Sequence, residues 1–188
     1  MEAPTGRDKT RPTSAKVREA LMSIIAPYLE DSVFIDLFAG SGAVGIEALS
    51  RGAGECLFVE RDRKALGALK KNLKTVAEHF KKQSLPAPKV TVFPLDLESS
   101  QDSIKARIAR QAHIVWADPP YQNTLSWLAK SEKMIGQLTL SHGFFIVECE
   151  KGQLTGGELE SSHWELVKIR HYGQTSLVVW QKKKDTSL

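Results

Sequence analysis

A carboxylate, two prolines and a tyrosine follow the apolar run that ends at Ala117; they are Asp118, Pro119, Pro120 and Tyr121. Proline has no backbone N–H, so it ends the hydrogen-bond ladder of a strand and leaves the Pro119 carbonyl available to a ligand. The Asp118 carboxylate and this carbonyl can each accept one hydrogen of an amino group, and the Tyr121 ring can stack on a base. The segment predicts a site that orients an aromatic amine, with a simple strand terminator as the alternative interpretation.

A glycine motif offers a second set of candidate residues. Gly40, Gly42 and Gly45 form GxGxxG between the apolar run 33–38 and a helical pattern. A turn without side chains lets a ligand approach the backbone, and the helix N-terminus offers unpaired N–H donors. Glu60 ends the next predicted strand, where a carboxylate can accept from both hydroxyls of a ribose. The motif predicts a nucleotide-type cofactor and fits NAD as well as S-adenosylmethionine.

Asp36 favours S-adenosylmethionine over NAD, because a carboxylate beside the loop attracts the cationic amino group of a methionine moiety and repels a pyrophosphate. Asp96, near the end of the third predicted strand, is expected either to contact the adenine amine or to act only as a cap. The predicted cofactor site is completed by neighbours of these acids and glycines, namely Phe38, Ala39, Arg61 and Leu97.

Strand and helix patterns alternate along most of the chain. Strands are predicted at 33–38, 56–60, 89–95, 114–117 and 144–149, and helices at 13–29, from 40 to 51, from 62 to before Pro86, at 100–111 and at 124–138. Parallel strands require such crossover helices, so the pattern predicts an α/β fold with a mostly parallel sheet covered on both faces. Alternating runs at 164–170 and 175–181 predict an antiparallel C-terminal hairpin.

This order of elements predicts a single domain over residues 1–188. It would comprise an N-terminal basic segment and helix (1–30), a cofactor-binding core (31–150) and the C-terminal hairpin (151–188). Open α/β sheets bind their ligands where the parallel strands end, so Gly40, Glu60 and Asp118 should face one crevice.

That crevice would suit methyl transfer to an exocyclic base amine. The lone pair of such a nitrogen is delocalised into the ring, so the amine must be held with its lone pair directed at the methyl group. Two acceptors on the two N–H hydrogens achieve this by alignment. The target base must also be flipped out of its stack, where the Tyr121 ring can receive it.

Positive charge is concentrated near the start of this mildly basic chain, which has 188 residues and a net charge of +4. The first eighteen residues contain Arg7, Lys9, Arg11, Lys16 and Arg18. Such a cluster makes a polyanionic partner plausible, whereas the cations of the helix after Asp62 are better explained as a solvated face. Arg11, Lys16 and Arg18 are the candidate polyanion-binding residues of this cluster.

The remaining features predict a cytoplasmic monomer without a metal. Apolar runs are far shorter than the roughly 20 residues that span a bilayer, and the polar N-terminus lacks a secretory signal. Cys56 and Cys149 lie in apolar runs without Cys or His at zinc spacing, which predicts buried thiols and no metal site.

The sequence resembles the class I S-adenosylmethionine-dependent methyltransferases and, among them, the bacterial 16S ribosomal RNA guanine-N2 methyltransferases of the RsmD type. The segments that carry the resemblance are RPTSAKVREAL at 11–21, DLFAGSGAVGIEALSRGA at 36–53, FVERD at 58–62, DPPY at 118–121 and HYGQTSL at 171–177. The resemblance implies a Rossmann-like seven-stranded sheet, methylation of the 2-amino group of a guanine, and 16S rRNA or the small ribosomal subunit as partner. It also implies that Arg11, Thr13 and Arg18 lie near the active site or RNA entrance.

Three other functions compete with this interpretation. An adenine-N6 methyltransferase acting on DNA or RNA would need the same active-site groups. A nicotinamide-dependent oxidoreductase would leave DPPY unexplained, and the sequence offers no clear acid or base for hydride transfer. A non-catalytic RNA-binding module could retain the cofactor fold.

Overall fold

The computed structural model describes residues 14–97, 104, 106–120, 122, 124–159 and 163–184. Its helices are α1 (Ala15–Ile25), α2 (Ala43–Ser50), α3 (Arg63–Lys82) and α4 (Thr124–Leu138), with 3₁₀ turns at Ala26–Tyr28 and Gly157–Leu159. Its strands are β1 (Val33–Asp36), β2 (Glu55–Val59), β3 (Lys89–Phe93), β4 (Ala112–Ala117), β5 (Thr139–Glu150), β6 (Trp164–Tyr172) and β7 (Thr175–Lys182).

The strands form one seven-stranded sheet in the order β3-β2-β1-β4-β5-β7-β6. The first five strands in this order are parallel, and β7 is antiparallel to both β5 and β6. The predicted α/β fold and its C-terminal hairpin are therefore confirmed. The order reverses between β1 and β4, and this switch point is where open α/β sheets bind ligands.

Two hydrophobic clusters cover the two faces of the sheet. One, the α1 face, packs α1, α2 and α3 against inward residues such as Phe34, Phe58, Trp116 and Leu177. The other, the α4 face, packs α4 and the segment around Ile104 and Ile108 against residues such as Ile35, Val115, Phe145 and Trp180. Alternate residues of the central strands β1, β2 and β4 therefore face opposite clusters, as the period of two requires.

Local signals explain where the helices begin. Ser14 caps α1 by accepting a hydrogen bond from the Val17 N–H at 3.2 Å, and Asp62 caps α3 in the same way from Ala65 at 2.8 Å. The apolar stripe of α1 is buried in the α1 face. Among the described residues, no helix is both long and apolar enough to span a membrane.

Several predicted boundaries differ from the structure. β5 begins at Thr139, not at 144, because α4 leads directly into the strand and His142 turns the chain with φ +63°. β1 ends at Asp36 and β3 at Phe93, two residues before the predicted ends. Of the helix predicted at 100–111, positions 104, 106 and 107 are helical, and much of the rest lies outside the described residues.

Candidate active site

The loop after β1 is fixed at the switch point by backbone hydrogen bonds to two neighbouring strands. The Leu37 N–H donates to the Trp116 carbonyl at 2.9 Å, and the Ala39 N–H donates to the Val59 carbonyl at 3.0 Å. These bonds tie the loop to β4 on one side and to β2 on the other. The loop is thus held between the strand that leads to Asp118 and the strand that leads to Glu60.

The three glycines of the motif serve two different purposes. Gly40 has φ +54°, and a Cβ added there would meet no atom within 4 Å, so its side faces open space. A Cβ on Gly42 would collide with Leu69, and one on Gly45 would collide with Phe58 and lie 2.6 Å from the Cys56 sulfur. Gly40 is therefore the glycine that leaves room for a ligand, whereas Gly42 allows the loop to pack against α3 and Gly45 allows α2 to pack against β2.

Glu60 links the end of β2 to the glycine loop. Its Oε2 accepts from the Gly40 N–H at 2.7 Å, and its Oε1 accepts from the N–H groups of Arg61 and Asp62 at 2.8 and 2.7 Å. An ionised carboxylate has about four acceptor positions, so about one remains for a ligand hydroxyl. Binding both ribose hydroxyls, as the sequence predicts, would require one backbone bond to be released.

Asp36 is a buried carboxyl group, 1% exposed, directly before the loop. Its Oδ2 accepts from the Gly45 N–H at 3.2 Å, while its Oδ1 is buried without a hydrogen-bond partner. Burial, and secondarily the charge of Glu60, raise the pKa of Asp36 to about 7, against the lowering effect of the Gly45 and Phe38 N–H groups. An unpartnered buried oxygen is costly, and a cationic donor from a ligand would satisfy it.

The other predicted cofactor residues lie around this loop. The Phe38 ring meets the Trp127 ring edge to face at 5.1 Å, and Ala39, within the loop, is buried. Arg61 Nη1 is 3.1 Å from Asp96 Oδ2, so this carboxylate is held by an arginine on the neighbouring strand end. Leu97 is part of the α4-face core.

The target end of the site begins where β4 stops. Asp118 is half-buried, Pro119 is buried and Pro120 is exposed, and the predicted stacking residue Tyr121 lies outside the described residues. Ala117, the last residue of β4, pairs with Val147, so Asp118 follows β4 at the level where Glu148 continues β5. Glu148 is only 3% exposed.

Glu148 is a candidate residue that the sequence analysis did not identify. It lies on the α1-face side of β5, since Ile146 faces that cluster and side chains alternate along a strand. The available signal was a single acid inside the apolar run 144–149. Only the register of β5 on β4 shows that this acid lies beside Asp118.

The predicted RNA-binding residues fall into three groups. Lys16 is exposed in the first turn of α1. Arg18 Nε lies 2.6 Å from Glu47 Oε2, and Glu47 also binds Arg51 at 2.8 Å, so Arg18 joins α1 to α2. Arg11 and Thr13 lie outside the described residues.

The two cysteines match their prediction as buried thiols. Both are free and buried, and burial raises the pKa of Cys56 well above its usual value and that of Cys149 to about 12. Among the residues that the structure describes, no group of three or more His, Cys, Asp or Glu side chains could hold a metal ion.

Comparison with known proteins identifies the family. The family model described as conserved hypothetical protein 95 matches residues 1–181. The chain belongs to this family. It is the family of ribosomal RNA small subunit methyltransferase D, as the RsmD-type resemblance of the sequence predicted. S-adenosylmethionine is the cofactor of its class I fold.

Curated relatives and solved structures agree with this membership. The chain is 38% identical to ribosomal RNA small subunit methyltransferase D of Escherichia coli, over 92% of the chain and 80% of that protein. It is 33% identical to the protein of the same name from Haemophilus influenzae, over 91% of the chain and 82% of that protein. The solved structure of Escherichia coli yhhF is similar with a TM-score of 0.70 and 28% identity, covering 94% of this chain and 90% of that one.

Proposed function

We propose that this chain transfers a methyl group from S-adenosylmethionine to the 2-amino group of a guanine in 16S ribosomal RNA. The observation that carries the proposal is the 2.9 Å hydrogen bond from the Leu37 N–H to the Trp116 carbonyl, which ties the cofactor loop to the strand that leads to Asp118. This bond supports the proposal because it joins the predicted cofactor loop to the strand before the predicted amine-binding segment, at the switch point of the sheet. Methyl transfer requires that proximity.

The cofactor end offers a group for each part of the ligand. Asp36 would bind the cationic amino group, because its buried Oδ1 lacks a hydrogen-bond partner. Gly40 leaves open space beside the loop, and Glu60 would accept from a ribose hydroxyl. When bound, S-adenosylmethionine supplies a methyl group on a sulfonium sulfur. Phe38, Ala39, Arg61, Asp96 and Leu97 remain predicted contacts around it.

The target end orients the amine. Asp118 and the Pro119 carbonyl would each accept one N–H of the exocyclic amine, which leaves the nitrogen lone pair directed at the methyl group. The nitrogen would gain the methyl carbon as that carbon's bond to the sulfonium sulfur breaks and leaves a neutral thioether, and the Asp118 carboxylate would accept the proton that the nitrogen then loses. Tyr121 remains the predicted stacking face for the flipped base.

The choice of guanine and of the small subunit rests on the resemblance of the segments at 11–21 and 171–177, which lie outside the cofactor loop and DPPY. The homologues carry the name of small-subunit rRNA methyltransferases, and that name supports ribosomal RNA as the substrate. Methylation of adenine N6 would need the same active-site groups, and the labelled nucleoside distinguishes the two reactions.

The test uses tritiated S-adenosylmethionine with small ribosomal subunits, and separately with free rRNA, from cells that lack the modification. Digestion of the product to nucleosides should give labelled 2-methylguanosine. Labelled N6-methyladenosine would replace the proposal by its alternative. If the protein binds S-adenosylmethionine but labels neither RNA substrate, the proposed function is wrong. Asp118→Ala, assayed in parallel, serves as the control for label from a contaminating enzyme.

A further inference from the structure

The edge strand β6 places two cations and a tyrosine on one side of the sheet. Lys168 pairs with Val179, Arg170 with Leu177 and Tyr172 with Thr175. Leu177 and Val179 belong to the α1-face core, and paired residues on neighbouring strands share a face. Lys168, Arg170 and Tyr172 therefore project on the α1 face of the sheet, where Tyr172 packs against the core.

A bulge in β6 creates this arrangement. Leu166 pairs with Trp180. The residue before Trp180 on β7 is Val179, and it pairs with Lys168 and not with Val167. An extra residue in one strand moves every later side chain to the other face. Without the bulge, Val167, Ile169 and His171 would occupy the α1 face and the cations would lie opposite.

The cations of β6 are aligned with the target end of the candidate active site. Glu148 on β5 pairs with Leu177 on β7, which pairs with Arg170 on β6. Asp118 follows β4 on the other side of Glu148. At about 4.8 Å per strand, the backbone positions of Arg170 and Asp118 are about 14 Å apart. About four stacked nucleotides, at about 3.4 Å each, span that distance.

The first turn of α1 lies at the same edge of the sheet. The C-terminal end of α1 leads through the turn Ala26–Tyr28 into the start of β1, so that end lies at the amino edge of the sheet. The N-terminal end of α1, with Lys16, therefore lies at the carboxyl edge. α1 also contacts β7, the neighbour of β6. Lys16 thus belongs to the same rim as Lys168 and Arg170.

These three cations differ from the paired arginines elsewhere in the fold. Arg18, Arg51, Arg61 and Arg110 each form an ion pair with a carboxylate. Within the part of the chain that the structure describes, Lys16, Lys168 and Arg170 have no such partner. Since no carboxylate of the described residues forms an ion pair with these cations, a polyanion beside the target site would complement their charges.

We propose that Lys16 of α1 and Lys168 and Arg170 of β6, together called the β6 strip, bind the phosphate backbone of the RNA that flanks the target nucleotide. This inference rests on the proposed function, since it assumes an RNA substrate at Asp118. The strip contacts phosphates and carries no base specificity, so it would position the strand while the target end selects the amine.

The test compares the double variant Lys168→Gln/Arg170→Gln with the matched variant Lys74→Gln/Lys81→Gln, which removes two exposed cations from α3. The probe is a small-subunit rRNA fragment that contains the methylation site, titrated at several salt concentrations. Loss of two phosphate contacts should lower the slope of log Kd against log salt by about 1.4 and weaken binding about tenfold. The effect should fall on KM for RNA more than on kcat, and the α3 variant should match the wild type.

Calorimetric titration with S-adenosylmethionine verifies folding, and the single exposed substitution Arg170→Gln replaces the double variant if that variant does not fold. A salt slope equal to that of the wild type, with folding intact, overturns the β6 strip. If the wild-type chain methylates RNA while the slope is unchanged, the strip fails and the proposed function stands. If the slope falls as expected but the wild type methylates no RNA, the function fails and the strip stands. If the wild type binds small subunits but not the fragment, the same titration is made with small subunits, and a wild type that binds neither overturns both.

Discussion

The two ends of the active-site edge are built in different ways. At the cofactor end, Asp36 and Glu60 come from one short stretch of chain and accept hydrogen bonds from nearby backbone N–H groups, including that of Gly40. At the target end, Asp118 follows β4 and Glu148 lies in β5, and only the register of β5 on β4 relates the two positions. The cofactor end therefore depends on local backbone geometry, whereas the target end depends on the pairing of the sheet.

This difference predicts that the two ends can be changed independently. A substitution at the target end should alter chemistry or RNA recognition without altering affinity for the cofactor. A substitution in the glycine loop should alter cofactor binding or stability, because Gly42 and Gly45 are also packing residues.

The largest expected effect is that of Asp118→Ala, which removes the carboxylate of the target end. Loss of one oriented polar group in an active site commonly costs about 10²- to 10³-fold in kcat, and we expect a loss of this size. The affinity for S-adenosylmethionine, measured by calorimetry, should stay within about twofold. Parallel losses of kcat and cofactor affinity would show that the two ends are not independent.

Gly45→Ala and Gly40→Ala form a matched pair within the cofactor end. The new methyl at position 45 meets the buried Phe58 ring and Cys56, and overpacking of this kind costs about 1–3 kcal/mol of unfolding free energy. At position 40 the methyl meets open space, so the cost is limited to the left-handed backbone, roughly 1–2 kcal/mol, while cofactor affinity should fall. Thermal unfolding and calorimetry separate the two effects. Equal cofactor affinities of the two variants would contradict the assignment of Gly40 to ligand space and of Gly45 to packing.

A smaller effect is expected from the pH dependence of cofactor binding. Asp36 is neutral below its raised pKa of about 7, and a cationic amino group binds its ionised form. Affinity for S-adenosylmethionine should therefore fall as the pH drops below about 7, by at most tenfold per pH unit. Asp36→Asn should bind more weakly but with a flat profile between pH 6 and 8. A wild-type profile as flat as that of the variant would remove Asp36 from the cofactor contacts.

The unliganded protein should respond to pH in the opposite direction. The folded pKa of Asp36, about 7, lies above the ordinary value of 3.8, so the native state binds this proton more tightly than the unfolded chain. The resulting stabilisation is fully present below pH 3.8 and is lost as the pH rises to about 7. The wild type should therefore lose stability as the pH rises across that range, whereas Asp36→Asn should not. The unfolding free energy of the variant should increase relative to that of the wild type. Urea unfolding at pH 5 and pH 8 measures it.

Residues of the cofactor end could be proposed from the sequence because their signals are local. The GxGxxG spacing, the strand before it and Glu60 lie within one βαβ unit, and the backbone bond from Gly40 to Glu60 agrees with that interpretation. Glu148 could not be identified as a neighbour of Asp118, since its position follows from strand pairing. Likewise, the α1-face position of Lys168 and Arg170 follows from a bulge that has no signal in the residue pattern.

The smallest expected effect concerns Arg18, which the sequence grouped with Lys16 as an RNA-binding residue. In the structure its guanidinium is paired with Glu47, and both side chains are about one-quarter exposed, at 27% and 24%. Such a pair contributes at most about 1 kcal/mol to stability after solvent screening. Arg18→Gln should therefore lower the unfolding free energy slightly and leave the salt slope of RNA binding unchanged, whereas Lys16→Gln should lower that slope by about 0.7 with no loss of stability. If Arg18→Gln lowered the slope as much as Lys16→Gln, the guanidinium would have to leave Glu47 for RNA, and its assignment as a tie between α1 and α2 would be wrong.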